Sequence, residues 1–76
     1  MRNYLLKYRK QKNATQQFVA NGLNCSQQYY AMIENGLRKQ DMAYSMMEKL
    51  AEVFGVSVDV IISYETDYRK SIENRA

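Results

Sequence analysis

The chain has no histidine and one cysteine, Cys25, among its 76 residues. Its three glycines form no phosphate-cradling loop, and enzyme readings fail on that inventory. One thiol can neither close an intramolecular disulfide nor build a thiolate metal cluster. Cys25 therefore reads as a packed thiol, and no cofactor, metal or small-molecule ligand is implied. There is also no long apolar run, internal repeat, low-complexity segment or secretory leader. The expectation is a soluble, intracellular chain with no membrane partner.

What remains is enough for one small domain. A chain this short buries about 60% of the surface its unfolded state exposes, and such a core supplies roughly 3–5 kcal/mol net. Assembly can therefore matter to stability. Charge is unevenly divided. Residues 1–40 carry seven cations against Glu34 alone, a net of +6, whereas residues 41–76 carry four cations against seven acids, a net of −3. The basic half has the electrostatic footprint that nucleic acid requires, although a solvated basic face would look similar.

The stretch from Thr15 to Gly36 lies in that half. Val19, Ala20 and Leu23 share one helical face behind Thr15, an N-cap residue. A second helix can start behind Ser26, with Tyr30, Ile33 and Leu37 inward. Between them Leu23-Asn24-Cys25 allows a tight turn, and Asn24 tolerates the left-handed conformation that the turn needs. Ala20 is small enough to let the two axes approach closely. Two short helices so joined are a helix-turn-helix.

Thr15-Gln16, Ala20, Leu23, Ser26, Ile33-Glu34 and Gly36 stand at the spacing of the Cro/repressor (XRE-like) helix-turn-helix family, which the chain resembles from about Leu5 to Ile62. Ser26-Gln27-Gln28 followed by Ile33-Glu34-Asn35-Gly36 is similar to the recognition helices of lambdoid phage repressors. The resemblance implies an all-α, five-helix, lambda-repressor-like DNA-binding domain over residues 1–63. A tail, 64–76, can extend it as a helix and contribute to a dimer. It further implies a cytoplasmic, nucleoid-associated regulator that binds a double-stranded DNA operator as a homodimer, a repressor of a phage, prophage or other mobile element. A controller or antitoxin of the same fold is the nearest variant. A protein-interaction module that no longer reads DNA is the alternative of a different class.

Within that frame each element has an expected task. Asn3 is a candidate cap for a first helix through about Lys12, with Leu5 and Tyr8 inward and Asn13 as a left-handed terminator. Arg9 aligns with a family arginine that pairs with the glutamate at Glu34. Gln27, Gln28, Ala31 and Met32, with Tyr29 at the edge, fall on the outer face of the recognition helix, whose N-terminal residues enter the major groove. A glutamine amide can grip adenine N6 and N7 together, and Ala31 and Met32 can pack on thymine methyls. Phosphate contacts are expected from Gln16 at a helix N-terminus, and from Thr15, Ser26, Asn35, Arg38 and Lys39. Phe18 stands where the family has a polar residue, either folded over Gly22 or as a contact surface. Asp41 is a candidate cap for a fourth helix striped by Met46, Met47, Leu50, Val53 and Phe54. Ser57 caps a fifth helix from Val58 to about Ser63. In the family this last helix commonly forms the dimer contact, here expected from Val58, Ile61, Ile62, Tyr64 and Tyr68.

Overall fold

Among the described residues, three helix ends close in the same way. In the computed structural model, which describes residues 1–36 and 42–73, helix α1 is Asn3–Gln11, α2 Gln16–Gly22, α3 Gln27–Asn35, α4 Tyr44–Phe54 and α5 Val58–Glu73. After α1, α2 and α4 the chain passes through a left-handed residue: Asn13 (φ 56°), Asn24 (φ 59°) and Gly55 (φ 68°). The following N–H then reaches back five residues, Ala14 to Arg9 O, Cys25 to Ala20 O and Val56 to Ala51 O, at 2.9–3.0 Å. This closure satisfies carbonyls that would otherwise lack partners at a helix end and turns the chain sharply.

The starts of α2 and α3 are set by side chains. Thr15 Oγ1 accepts from Phe18 N and Ser26 Oγ accepts from Tyr29 N, each at 3.1 Å. The starts of α1 and α4 depart from expectation. The N-cap of α1 is Arg2, without a side-chain cap, and Asn3 is already helical. The chain enters that helix under tertiary control, because Arg2 N–H donates to Glu34 O at 2.8 Å. Helix α4 begins behind Ala43, also without a side-chain cap, so Asp41 is not its cap; Asp41 itself lies outside the described residues, as does Leu37.

The core joins all five helices. Leu5, Val19, Ala20, Leu23, Tyr30, Leu50, Ala51, Phe54 and Ile61 are buried, and Met46, Met47 and Val53 pack against them as core residues. Ala20 has no exposed surface beside α3, the close approach for which a small residue is needed. Gly22 serves α4: a β-carbon there would stand 2.7 Å from Val53 Cγ2. Phe18 does not bury itself on Gly22 and remains 61% exposed.

Helix α5 runs ten residues past Ser63 without a break, to Glu73. It folds back on its own domain. Arg2 Nε and Nη2 donate to the two oxygens of Glu65, both at 2.9 Å, and Tyr4 Oη donates to Glu65 Oε1 at 2.7 Å. Arg2 and Glu65 are 4% and 2% exposed. Tyr64 stacks on Tyr4 with ring centroids 5.3 Å apart and meets Tyr8 edge-on at 6.0 Å.

Candidate nucleic-acid interface

The recognition helix has two unlike faces. Tyr30 and Glu34 are buried and Ile33 is half-buried, whereas Gln27, Gln28 and Asn35 are exposed and Ala31 and Met32 are partly so. The exposed set recurs at i, i+1, i+4, i+5 and i+8, which is a single stripe along α3. Tyr29, 42% exposed, lies at its edge. Two adjacent amides therefore stand at the N-terminal end of a short helix, each able to present a donor and an acceptor to one base edge.

A charged lock holds the helix that carries them. Arg9 Nε donates to Glu34 Oε2 and Arg9 Nη2 to Glu34 Oε1, both at 3.0 Å, a two-pronged pairing that fixes orientation as well as distance. Arg9 Nη1 also donates to Ala14 O at 3.2 Å, which ties the α1–α2 turn to the same point. Gln16 Nε2 reaches Glu34 Oε1 at 3.3 Å. Burial pushes the Glu34 carboxyl up, but hydrogen bonds from Arg9 and Gln16, with the Tyr30 hydroxyl close by, outweigh it and hold the group below the usual carboxylate range. Burial, then the neighbouring Glu34, raises the Tyr30 phenol, whose hydroxyl lies near that carboxylate without a well-aligned hydrogen bond. Burial likewise raises the Cys25 thiol, as expected of a packed and unreactive sulfur.

Next to the lock is a cleft of about 500 Å³ lined by Arg9, Lys10, Asn13, Ala14, Thr15, Gln16 and Gln27. It brings the starts of α2 and α3 to one place beside Lys10, an exposed cation. The Thr15 and Ser26 hydroxyls each serve a helix cap, so their part here is to shape the two N-termini. The N–H groups of Gln16 and Gln17 have no partner within α2, and its positive end favours an anion. Lys10 and Asn13 were not distinguishable in the sequence as site residues. Lys10 counted as one charge among seven, and Asn13 as a helix terminator. Arg38 and Lys39 lie outside the described residues.

The basic half is less available than its +6 suggests. Arg2 and Arg9 are paired internally, Lys7 lines a separate groove between α1 and α5, and Lys12 Nζ lies 3.8 Å from where a β-carbon on Gly55 would stand. Among the residues expected to join two subunits, Ile61 has no exposed surface and belongs to the protomer's own core. It shares its inward face with Glu65 one turn on, which Arg2 and Tyr4 hold inside the domain. Tyr64 is stacked on α1, and Tyr68 lies under the Arg2 guanidinium at 4.6 Å. Val58 and Ile62 remain half-buried, and Val60 is 37% exposed.

Among the described residues no group of histidine, cysteine and carboxylate side chains could hold a metal ion, and no helix is long and apolar enough to cross a membrane. The chain matches the Helix-turn-helix family profile over residues 5–61. It is 39% identical over 67 residues to an uncharacterised HTH-type transcriptional regulator of Methanocaldococcus jannaschii, covering 88% of this chain and 98% of that protein. It is 42% identical over 55 residues to YqaF, an uncharacterised HTH-type transcriptional regulator of Bacillus subtilis, covering 72% of this chain and 70% of that protein. No solved structure is a significant match. With its helix-turn-helix geometry and these matches across most of its length, the chain belongs to the Cro/repressor (XRE-like) family of helix-turn-helix DNA-binding transcriptional regulators.

Proposed function

We propose that the protein is a homodimeric repressor that reads an operator through the major groove with α3. The carrying observation is the exposed pair Gln27 and Gln28 at the free end of a helix whose last turn is locked by Arg9 and Glu34. Gln27 and Gln28 grip base edges while Ala31 and Met32 meet thymine methyls. Gln16 and Lys10 in the neighbouring cleft, together with Asn35, Arg38 and Lys39, engage phosphates and set the register without reading sequence. Occupying a promoter in this way blocks transcription. Similarity of the 26–36 segment to lambdoid phage repressors favours a phage, prophage or other mobile element as the setting.

One α3 reaches few base pairs, so two copies on a two-fold axis supply the missing specificity. Their recognition helices then lie about 34 Å apart and require a roughly palindromic site. Val58 and Ile62, half-buried in the protomer, and the more exposed Val60 are apolar groups on α5 available for that contact. Sedimentation of the wild type and of Ile62→Lys tests the pairing: a dimer that becomes monomeric supports it, and an unchanged dimer removes this edge of α5.

Base reading is tested by selecting a preferred duplex from a random pool with the wild-type protein. Gln28→Ala should lose about 1–3 kcal/mol on that duplex and little on unselected DNA. Equal losses on both would show that Gln28 does not read a base.

A further inference from the structure

We propose that Arg2, clamped between Glu65 and the Tyr68 ring, is a positioning residue for DNA recognition: it anchors the C-terminal end of α3 and so sets where Gln27 and Gln28 stand. The proposal rests on the reading that these glutamines meet bases. The last carbonyls of any helix lack intrahelical donors, and two of those on α3 are taken by this one residue. Arg2 Nη1 donates to Ile33 O at 2.7 Å, and Arg2 N–H donates to Glu34 O at 2.8 Å. The guanidinium is held from the far side by both oxygens of Glu65 and from below by the Tyr68 ring. Tyr68 also closes the exit of α3. Gly36 follows the helix at φ 65°, and a β-carbon there would run into the Tyr68 hydroxyl.

Residues near the two ends of the sequence therefore meet behind the recognition helix. Glu34 is fixed through its side chain by Arg9 and through its carbonyl by Arg2. Among the described residues, the reading end of α3 has no ionic anchor of this kind, being held by the Ser26 cap and the buried Tyr30 ring. A short helix clamped more firmly at one end than at the other acts as a lever. A tilt of about 10° at Ile33 displaces Gln28, about 8 Å away along the axis, by more than about 1 Å. Hydrogen bonds to a base edge do not survive such a shift, whereas attraction to phosphates is hardly changed. The distal half of α5 thus belongs to the DNA-reading unit even though it touches no base.

The test uses Arg2→Lys, which keeps the charge but cannot bond both Glu65 oxygens and Ile33 O together. Circular dichroism first establishes a temperature at which the variant is fully folded. At that temperature affinities are measured for the duplex selected by the wild type and for unselected duplex. The expected result is a loss of about tenfold or more on the selected duplex, with unselected DNA within about threefold of wild type. A folded Arg2→Lys whose selected-to-unselected ratio is unchanged overturns the proposal, since a purely stabilising residue leaves that ratio alone. If Arg2→Lys does not fold, Glu65→Gln, which keeps the side-chain shape and loosens the clamp, is read in the same way. Gln28→Ala run alongside separates the two readings. A normal ratio in Gln28→Ala with a lowered ratio in the Arg2 variant removes that glutamine as a reader and keeps Arg2 as a positioner; the opposite pattern does the reverse.

Discussion

Glu65→Ala should come close to unfolding the domain, although Glu65 stands eleven residues from the end of the chain. Its carboxylate is 2% exposed and accepts three hydrogen bonds, two from Arg2 and one from Tyr4. Truncation leaves a guanidinium that is 4% exposed facing a hole, with the Tyr4 phenol stranded beside it. Removing one partner of a buried ion pair costs about 3–5 kcal/mol, because the remaining charge loses its solvation and its counterion together. A domain of this length has a net stability of about 4–11 kcal/mol, and small cores fall at the lower end. At about 4–8 °C per kcal/mol the melting temperature should drop by roughly 12–40 °C, read by far-UV circular dichroism. The double variant Arg2→Met with Glu65→Leu removes both charges and keeps the volume, so it should recover most of that loss. Truncation after Ser63 should resemble Glu65→Ala and not a trimmed tail. A Glu65→Ala protein that melts within about 4 °C of wild type, less than about 1 kcal/mol, would refute the account.

Acid should act through the other lock. Glu34 titrates below its ordinary value of 4.5 in the fold, so its contribution is complete above that pH and is lost as pH falls toward the lowered folded value. Urea midpoints measured downward from about pH 5 should fall for the wild type and less steeply for Glu34→Gln. Lys10→Ala should weaken selected and unselected duplexes alike and reduce the slope of log K against log salt by about one per subunit; an unchanged slope would take Lys10 out of the footprint. Gly22→Ala should destabilise by about 1–2 kcal/mol in urea titration, against the gain of about 1 kcal/mol usual for alanine over glycine in a helix, because its β-carbon meets Val53 Cγ2. Adding Val53→Ala should then recover part of that loss.

The helix-turn-helix was legible because local chemistry specifies it. Thr15 and Ser26 cap with their own hydroxyls, Asn13, Asn24 and Gly55 take the left-handed turns, and Ala20 fills the crossing. None of these needs a distant residue. The start of α1 was misread at Asn3 because a contact with Glu34, 32 residues along the chain from Arg2, fixes it. The apolar residues of α5 were recognised, but their direction was not. Ile61 and Glu65 are one turn apart and both face inward. A glutamate in an inward stripe does not look apolar, and helical spacing alone leaves open whether Tyr64 or Glu65 carries the stripe from Ile61 to Tyr68. The partner that makes Glu65 an inside residue lies 63 positions away, beyond the reach of any helical period.

The same pairing explains why the basic half cannot all be counted as a DNA-attracting field. Arg2 and Arg9 each present a flat fork of donors that closes on a carboxylate and still has a nitrogen for a backbone carbonyl, Ile33 O and Ala14 O respectively. A lysine could supply the charge but not that geometry. Both arginines converge on the last turn of α3, one through the Glu34 side chain and one through the carbonyls of Ile33 and Glu34. A core this small has little stability to spare, and these ionic clamps stand on the one helix that must be held in place. On the proposed reading, fold stability and base reading draw on the same few residues. A substitution at Arg2, Arg9, Glu34 or Glu65 should act on both, whereas one at Gln28 or Lys10 should leave the fold intact and change binding alone.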